Sequence, residues 1–191
     1  MPIKTEPKIK SWQYVLSFIW ETAKIIIISL AIIIPIRYFL FQPFFVRGAS
    51  MEPNFENGEY LIIDEISYRL HEPERGDVVV FKYPKYPSQY YIKRVVALPN
   101  EIIKIEDGEV TIFNKENPAG FILDESYLSE GNEFTSGNLE ISLSEDDYFV
   151  LGDNRKASSD SRKWGLLPRK YIVGRAWLRA WPFDRIGIVL D

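Results

Sequence analysis

Between Trp12 and Val46 the chain carries few charges, and its centre reads Ile25-Ile-Ile-Ile-Ser-Leu-Ala-Ile-Ile-Ile-Pro-Ile36. A helix through that centre has no polar face, because Ser29 is its only polar residue. It therefore does not fit the one-sided stripe of a surface helix in a soluble core. The centre alone is shorter than the roughly 20 helical residues that cross a bilayer core of about 30 Å. Adding Ala23 and Lys24 before it and Arg37 to Phe41 after it reaches that length. The two basic side chains can then snorkel toward headgroups. A cleaved signal peptide has an apolar core of similar length, but Pro35-Ile-Arg-Tyr-Phe-Leu-Phe-Gln-Pro43 lacks a small-x-small cleavage pattern. These features favour an uncleaved anchor over residues 12–41. Pro35 is expected to kink or end the helix, and Trp12, Tyr14, Trp20, Tyr38 and Phe39 suit the membrane interfaces. Lys4, Lys8 and Lys10 oppose a single acid, Glu6, before the span. That bias predicts residues 1–11 on the cytoplasmic side and residues 42–191 outside.

Beyond the span, the chain has a short list of chemistries open to it. It has no cysteine and one histidine, His71, which excludes thiolate catalysis and argues against histidine-rich metal sites. The sequence therefore implies no metal and no cofactor. A formal net charge of −4 gives no basic surface for nucleic acid. Helical periodicity is scarce after Tyr60, and the apolar runs read as strands. These are Tyr60–Asp64, Gly76–Phe81, Tyr90–Leu98, Glu101–Glu106, Glu109–Phe113, Leu139–Leu143, Tyr148–Leu151, Tyr171–Leu178 and Ile186–Leu190. Asp107-Gly108 between two of them is a hairpin signal. Residues 114–138 hold Pro, Gly, Asn, Ser and acids without a pattern, and read as a surface insertion. The predicted fold is mainly β: one N-terminal membrane helix, then an antiparallel sheet domain.

Three stretches could carry chemistry. In Phe44-Phe-Val-Arg-Gly-Ala-Ser50-Met-Glu-Pro-Asn54, a glycine before the serine permits a sharp backbone turn, and Pro53 keeps Glu52 from helical geometry. Ser50 is either a plain turn former or a nucleophile held on a rigid bend. With no cysteine and one histidine, such a nucleophile needs another base. In Tyr91-Ile-Lys93-Arg94-Val-Val96, alternation places Lys93 on a face with Tyr91 and Val95. Lys93 could snorkel from an exposed face, or be neutralised by burial. The difference is large: at the ordinary pKa only about 0.04% of a lysine amine is neutral at pH 7, and burial can lower that pKa by roughly 3 units. The third stretch, Gly152-Asp-Asn-Arg-Lys-Ala-Ser-Ser-Asp-Ser-Arg162-Lys-Trp-Gly165, is dense in hydroxyls and charges directly after a strand. His71 lies in a charged loop and reads as solvated.

Taken together with Arg75-Gly-Asp-Val-Val-Val-Phe81 and Trp181-Pro-Phe-Asp-Arg-Ile-Gly187, these stretches resemble the ordered motif set of the bacterial type I signal peptidases. The resemblance implies that Ser50 is the acylating nucleophile and Lys93 its general base. It implies that Ser158 orients the lysine amine, that Asp160 and Arg162 support its loop, and that Asp153 pairs with Arg94. Met51 would pack against the site floor, and the Ser50 N–H would be one oxyanion donor. Some members place a serine where this chain has Gly48, so a second oxyanion donor must come from elsewhere. Asn54 and Asn100 also depart from the usual Thr and Gly. The implied partners are precursor proteins bearing signal peptides and the lipid bilayer of the cytoplasmic membrane, in whose outer leaflet Phe41, Phe44 and Phe45 would rest. Two other readings stay open. One is a narrower Ser/Lys protease that matures a single pilus or conjugation protein; the other is a tethered, non-catalytic β domain that binds extended peptides.

Overall fold

A computed structural model of the chain describes residues 11–39 and 41–189. Of the expected cytoplasmic segment 1–11, only Ser11 lies among the described residues. The chain separates into two compact units, residues 1–40 and 41–191.

The first unit is a single helix, α1 (Ser11–Phe39). Its stretch Tyr14–Ile34 has a mean hydropathy of 2.0 and none of it is buried within the protein, as expected of a helix whose surroundings are apolar rather than aqueous. Trp12, Tyr14 and Trp20 are exposed; the side chains of Tyr38 and Phe39, expected at an interface, lie outside those described. Lys24 pairs with Glu21 at 2.8 Å. The helix does not end at Pro35 but continues to Phe39. A proline removes one helical hydrogen bond, here the one to the Ala31 carbonyl, and the helix runs on four residues past it.

The second unit is built of antiparallel strands. Its elements in chain order are β1 (Phe41–Phe45), β2 (Tyr60–Asp64), α2 (Ser67–Leu70), β3 (Val78–Lys82), β4 (Tyr90–Ala97), β5 (Ile102–Glu106), β6 (Glu109–Phe113), β7 (Phe121–Ile122), β8 (Leu139–Ser142), β9 (Asp147–Leu151), α3 (Ser161–Trp164), β10 (Leu167–Pro168), β11 (Ile172–Trp181) and β12 (Gly187–Ile188). Among the described residues the strands form a larger sheet in the order β1-β2-β11-β3-β4-β9-β10, with β12 on β11, and a smaller one in the order β7-β6-β5-β8. The expected mainly β, antiparallel architecture behind one apolar helix is what the structure has. Central β3 is buried at Val78, Val79, Val80 and Phe81. A strand covered on both faces can carry such a continuous apolar run. The β5–β6 hairpin turns at Asp107 (φ 52) and Gly108 (φ 90), the doubly positive pair that Asp-Gly accommodates.

Two expectations need correction, and a third gains detail. The anchor, expected to reach residue 41, stops short of it, because Phe41 is already a strand residue paired with Asp64. Phe44, expected in the lipid, packs against the core beside Leu61 and Ile63 and meets the Tyr90 ring at 5.2 Å. The register explains it: Phe44 pairs with Leu61 across an antiparallel ladder. The segment 114–138, expected as a surface insertion, is exposed or half-buried over most of its length but buries Leu123 and Thr135. Two anchors fix it, since Leu123 donates its N–H to Val110 at 2.8 Å and Thr135 to Gly108 at 2.9 Å.

Candidate active site

Ser50 sits on a turn after β1 that is held from several sides. Val46 N–H donates to Glu59 O at 2.9 Å, the Val46 carbonyl accepts Gly58 N–H at 3.0 Å, and Phe55 N–H closes onto Met51 O at 2.9 Å. Gly48 has φ +90, a left-handed geometry that costs glycine little, and its N–H donates to Asn57 Oδ1 at 2.9 Å. Met51, expected on the site floor, is buried among Val46, Phe55 and Leu61. From across the fold, Asn154 N–H donates to the Ser50 carbonyl at 3.1 Å. The hydroxyl is left facing a cleft of about 720 Å³ whose walls include Phe44, Val46, Tyr91, Ile92 and Ala157. The Ser50 N–H has no acceptor among the described residues. The Gly48 N–H is engaged by Asn57 and is not available as the second donor.

Lys93 reaches that hydroxyl from β4. Its register partner is Val79, the residue is 3% exposed, and its Nζ lies 2.6 Å from Ser50 Oγ and 2.6 Å from the Ile92 carbonyl. Burial lowers the amine to about 8, against the opposing charges of Asp160 and Asp153. At that value about one amine in ten is neutral at pH 7. A neutral amine still offers a hydrogen to Ile92 O while its lone pair faces the hydroxyl, so the geometry suits transfer of the serine proton.

Ser158 departs from expectation. The amine bonds Ser50 and Ile92, whereas Ser158 Oγ is buried without a hydrogen bond of ordinary geometry. It does lie near enough to the Asp160 carboxylate to favour its charged form. Ser158 Oγ and the Ser50 carbonyl both lie in the space that the absent side chain of Gly152 leaves open. Ser158 thus packs against the loop backbone. Asp160 is fully buried and receives Arg162 Nε and Nη2 at 2.8 Å each and Gly152 N–H at 3.2 Å. Burial would raise its pKa, but the Arg162 fork, Ser158 and the Gly152 N–H together hold the carboxylate below its usual range. Asp160 also caps α3 through Arg162 N–H.

Asp153 and Arg94 form a buried pair, with Nε to Oδ1 at 3.0 Å and Nη2 to Oδ2 at 2.8 Å. Their neighbours were not legible in the sequence. Asn54 Nδ2 donates to Asp153 Oδ2 at 2.8 Å and to the Tyr127 carbonyl at 2.9 Å. Arg155, 2% exposed, donates to Gly152 O at 3.1 Å, to Tyr127 Oη at 3.1 Å and to Thr135 Oγ1, and pairs with Glu125 at 2.6 Å. An arginine inside a Gly-Asp-Asn-Arg string was one signal in the sequence; nothing local marked Tyr127. His71 is exposed in the loop after α2 and takes no part.

The sequence matches the family described as signal peptidase, peptidase S26, across residues 19–181. It is 36% identical to the probable signal peptidase I-2 of Synechocystis sp. (strain ATCC 27184 / PCC 6803 / Kazusa), over 90% of this chain and 77% of that protein. It is 33% identical to the signal peptidase I of Bacillus licheniformis, over 88% of this chain and 91% of that one. It is 32% identical to the chloroplastic thylakoidal processing peptidase 1 of Arabidopsis thaliana, over 90% of this chain and 51% of that protein.

Proposed function

We propose, from the premise that this chain belongs to the signal peptidase family, peptidase S26, that it is a membrane-anchored endopeptidase removing signal peptides from exported precursors. Ser50 is the nucleophile and Lys93 the general base. The observation that carries this reading is the 2.6 Å approach of a buried lysine amine to a cleft-facing serine hydroxyl. Neutral Lys93 takes the Ser50 proton as Oγ bonds to the scissile carbonyl carbon. The Ser50 N–H faces the oxygen that becomes negative, where a preorganised donor acts most strongly. As the C–N bond breaks, the Lys93 ammonium returns its proton to the leaving amine, leaving an acyl-enzyme. Lys93 next takes a proton from water attacking the same carbon, and gives it to Ser50 Oγ as the signal peptide departs.

An extended substrate fits a cleft bordered by β1 and β4 by adding alongside a strand. Ala49 and Ala157 leave room for small side chains before the cut, as an Ala-x-Ala sequence provides. Helix α1 anchors the chain in the cytoplasmic membrane. Lysines 4, 8 and 10 orient its N-terminus inside, so that residues from 42 onward work on the outer side. Anchoring concentrates enzyme and precursor in the same two dimensions. The test is cleavage of several unrelated exported precursors by the detergent-purified chain, its Ser50→Ala and its Lys93→Ala variants. The reading expects all precursors cut at small-x-small sites by the parent and none by either variant. Undiminished cleavage by either variant overturns the dyad, and activity on a single precursor overturns the general role.

A further inference from the structure

The segment 114–138 contains one two-residue strand, β7, yet at its middle Tyr127 touches three residues that adjoin the Ser50–Lys93 pair: Arg94, Asn54 and Arg155. The Tyr127 ring lies under the Arg94 guanidinium, with Cζ 4.1 Å from the ring centroid. Its carbonyl accepts Asn54 Nδ2 at 2.9 Å, and its hydroxyl accepts Arg155 Nη2 at 3.1 Å. Each partner is one step from the chemistry. Arg94 follows Lys93 on β4. Asn54 closes the turn that begins at Ser50. Arg155 follows Asn154, whose N–H holds the Ser50 carbonyl at 3.1 Å, and its own Nε holds Gly152 O. Asp153 stands between them, receiving Arg94 on both oxygens and Asn54 on one.

We propose that Tyr127 is a positioning residue for the Ser50–Lys93 pair, with Asn54 as its link to the nucleophile turn. The assignment rests on the peptidase reading and adds to it a role for a segment otherwise without one. The chemistry of position 54 supports it: a carboxamide has two N–H donors and serves Asp153 and Tyr127 at once, where a hydroxyl has a single hydrogen to give. The location of Tyr127 supports it too, because it lines a small hollow with Arg94, Asn54 and Arg179 and forms no part of the cleft that opens on Ser50. Its contribution therefore falls on the chemical step rather than on substrate binding. A flat cation–π platform and two hydrogen bonds fix the guanidinium and the turn in one geometry. Reacting groups displaced by about 1 Å lose roughly a hundredfold in rate.

The experiment measures kcat and KM separately on a soluble Ala-x-Ala peptide, with the full chain in detergent and thermal melting as a check on folding. Tyr127→Leu is expected to lower kcat roughly tenfold or more with KM within about twofold. Tyr127→Phe, which keeps the ring and the carbonyl, is expected to restore most of that loss. Asn54→Ala, which leaves the segment's own packing in place, is expected to reproduce the fall in kcat. Phe134→Ala, in the same segment but stacked on Gly108, is expected to lower the melting temperature and leave kcat as it was. The inference is overturned if folded Tyr127→Leu or folded Asn54→Ala retains the parent kcat, or if KM alone rises. It is also overturned if Phe134→Ala depresses kcat as strongly, since the segment then acts only by being folded. Ser50→Ala is run alongside: if it cleaves normally the peptidase reading itself fails, whereas an inert Ser50→Ala beside a fully active Tyr127→Leu removes this inference alone.

Discussion

A lysine that serves as a base must be kept from water, and keeping it from water costs stability. Lys93 is 3% exposed and its amine is lowered to about 8 by burial. Below that pH the group is protonated in the folded and the unfolded chain alike, and the full penalty of burying the charge is present. Between about 8 and the unfolded value near 10.4 the folded state binds fewer protons, so stability rises with pH across that window. The difference corresponds to a penalty on the order of 3 kcal/mol at neutral pH. Lys93→Met, similar in length and uncharged, is therefore expected to melt higher than the parent at pH 7 while losing all cleavage. The gap should narrow toward pH 10. Differential scanning calorimetry across pH checks both parts, and a variant less stable than the parent at pH 7 contradicts them. The Arg94–Asp153 pair behaves in the opposite way. Both groups are buried and bonded to each other through two hydrogen bonds, so Asp153→Ala leaves a guanidinium without its counter-charge and is expected to cost about 3–5 kcal/mol in urea unfolding.

At the level of elements, two glycines make a useful contrast. Gly152 ends the run from β9 into the loop, and a Cβ there would strike the Ser158 hydroxyl and the Ser50 carbonyl. A backbone atom cannot step aside as a side chain can. Gly152→Ala is thus expected to destabilise the fold by about 1–3 kcal/mol and to lower kcat together, because one atom displaced belongs to Ser50, the proposed nucleophile. Gly108 lies in the remote β5–β6 turn at φ +90, against the Phe134 ring. Gly108→Ala is expected to lower stability and leave kcat unchanged. Parallel unfolding and cleavage assays separate the two outcomes, and equal effects on kcat would contradict them.

The same elements show what could be read from the chain. Tyr60–Asp64 and the pair flanking Asp107-Gly108 were legible nearly to the residue because period-two alternation and a turn dipeptide are local signals. β1 was hidden: its Phe-Gln-Pro-Phe-Phe sequence continues the apolar character of α1, and only pairing with β2 distinguishes a strand from the end of a span. β7, β10 and the two short helices were missed because each is too brief to show a period. At the site, the Ser50–Lys93 contact and the Asp160–Arg162 pair fall where the resemblance to the type I signal peptidases put them. The Ser158 contact could not, since it depends on which way one hydroxyl turns beside Gly152. Tyr127 meets Arg155 and Asn54 through pairings 28 and 73 residues apart along the chain, and no local pattern encodes those.

The whole molecule joins an apolar helix to a sheet domain that holds the candidate site, each compact by itself. Tyr14–Ile34 is long and apolar enough to span a bilayer. The full chain is accordingly expected to stay in the membrane pellet after alkaline carbonate extraction, and a chain lacking residues 14–34 to leave it. Release of the full chain contradicts anchoring. The central claim, however, is electrostatic and belongs to one amine. It is tested most directly by titrating the Lys93 side chain itself. Protein labelled with 13Cε-lysine is followed by NMR in detergent, the Lys93 resonance is identified by its loss in Lys93→Arg, and the midpoint is set beside the acid limb of kcat/KM. Both are expected to fall near 8. A resonance titrating near the ordinary lysine value of about 10.4, or one out of step with the activity, contradicts the claim.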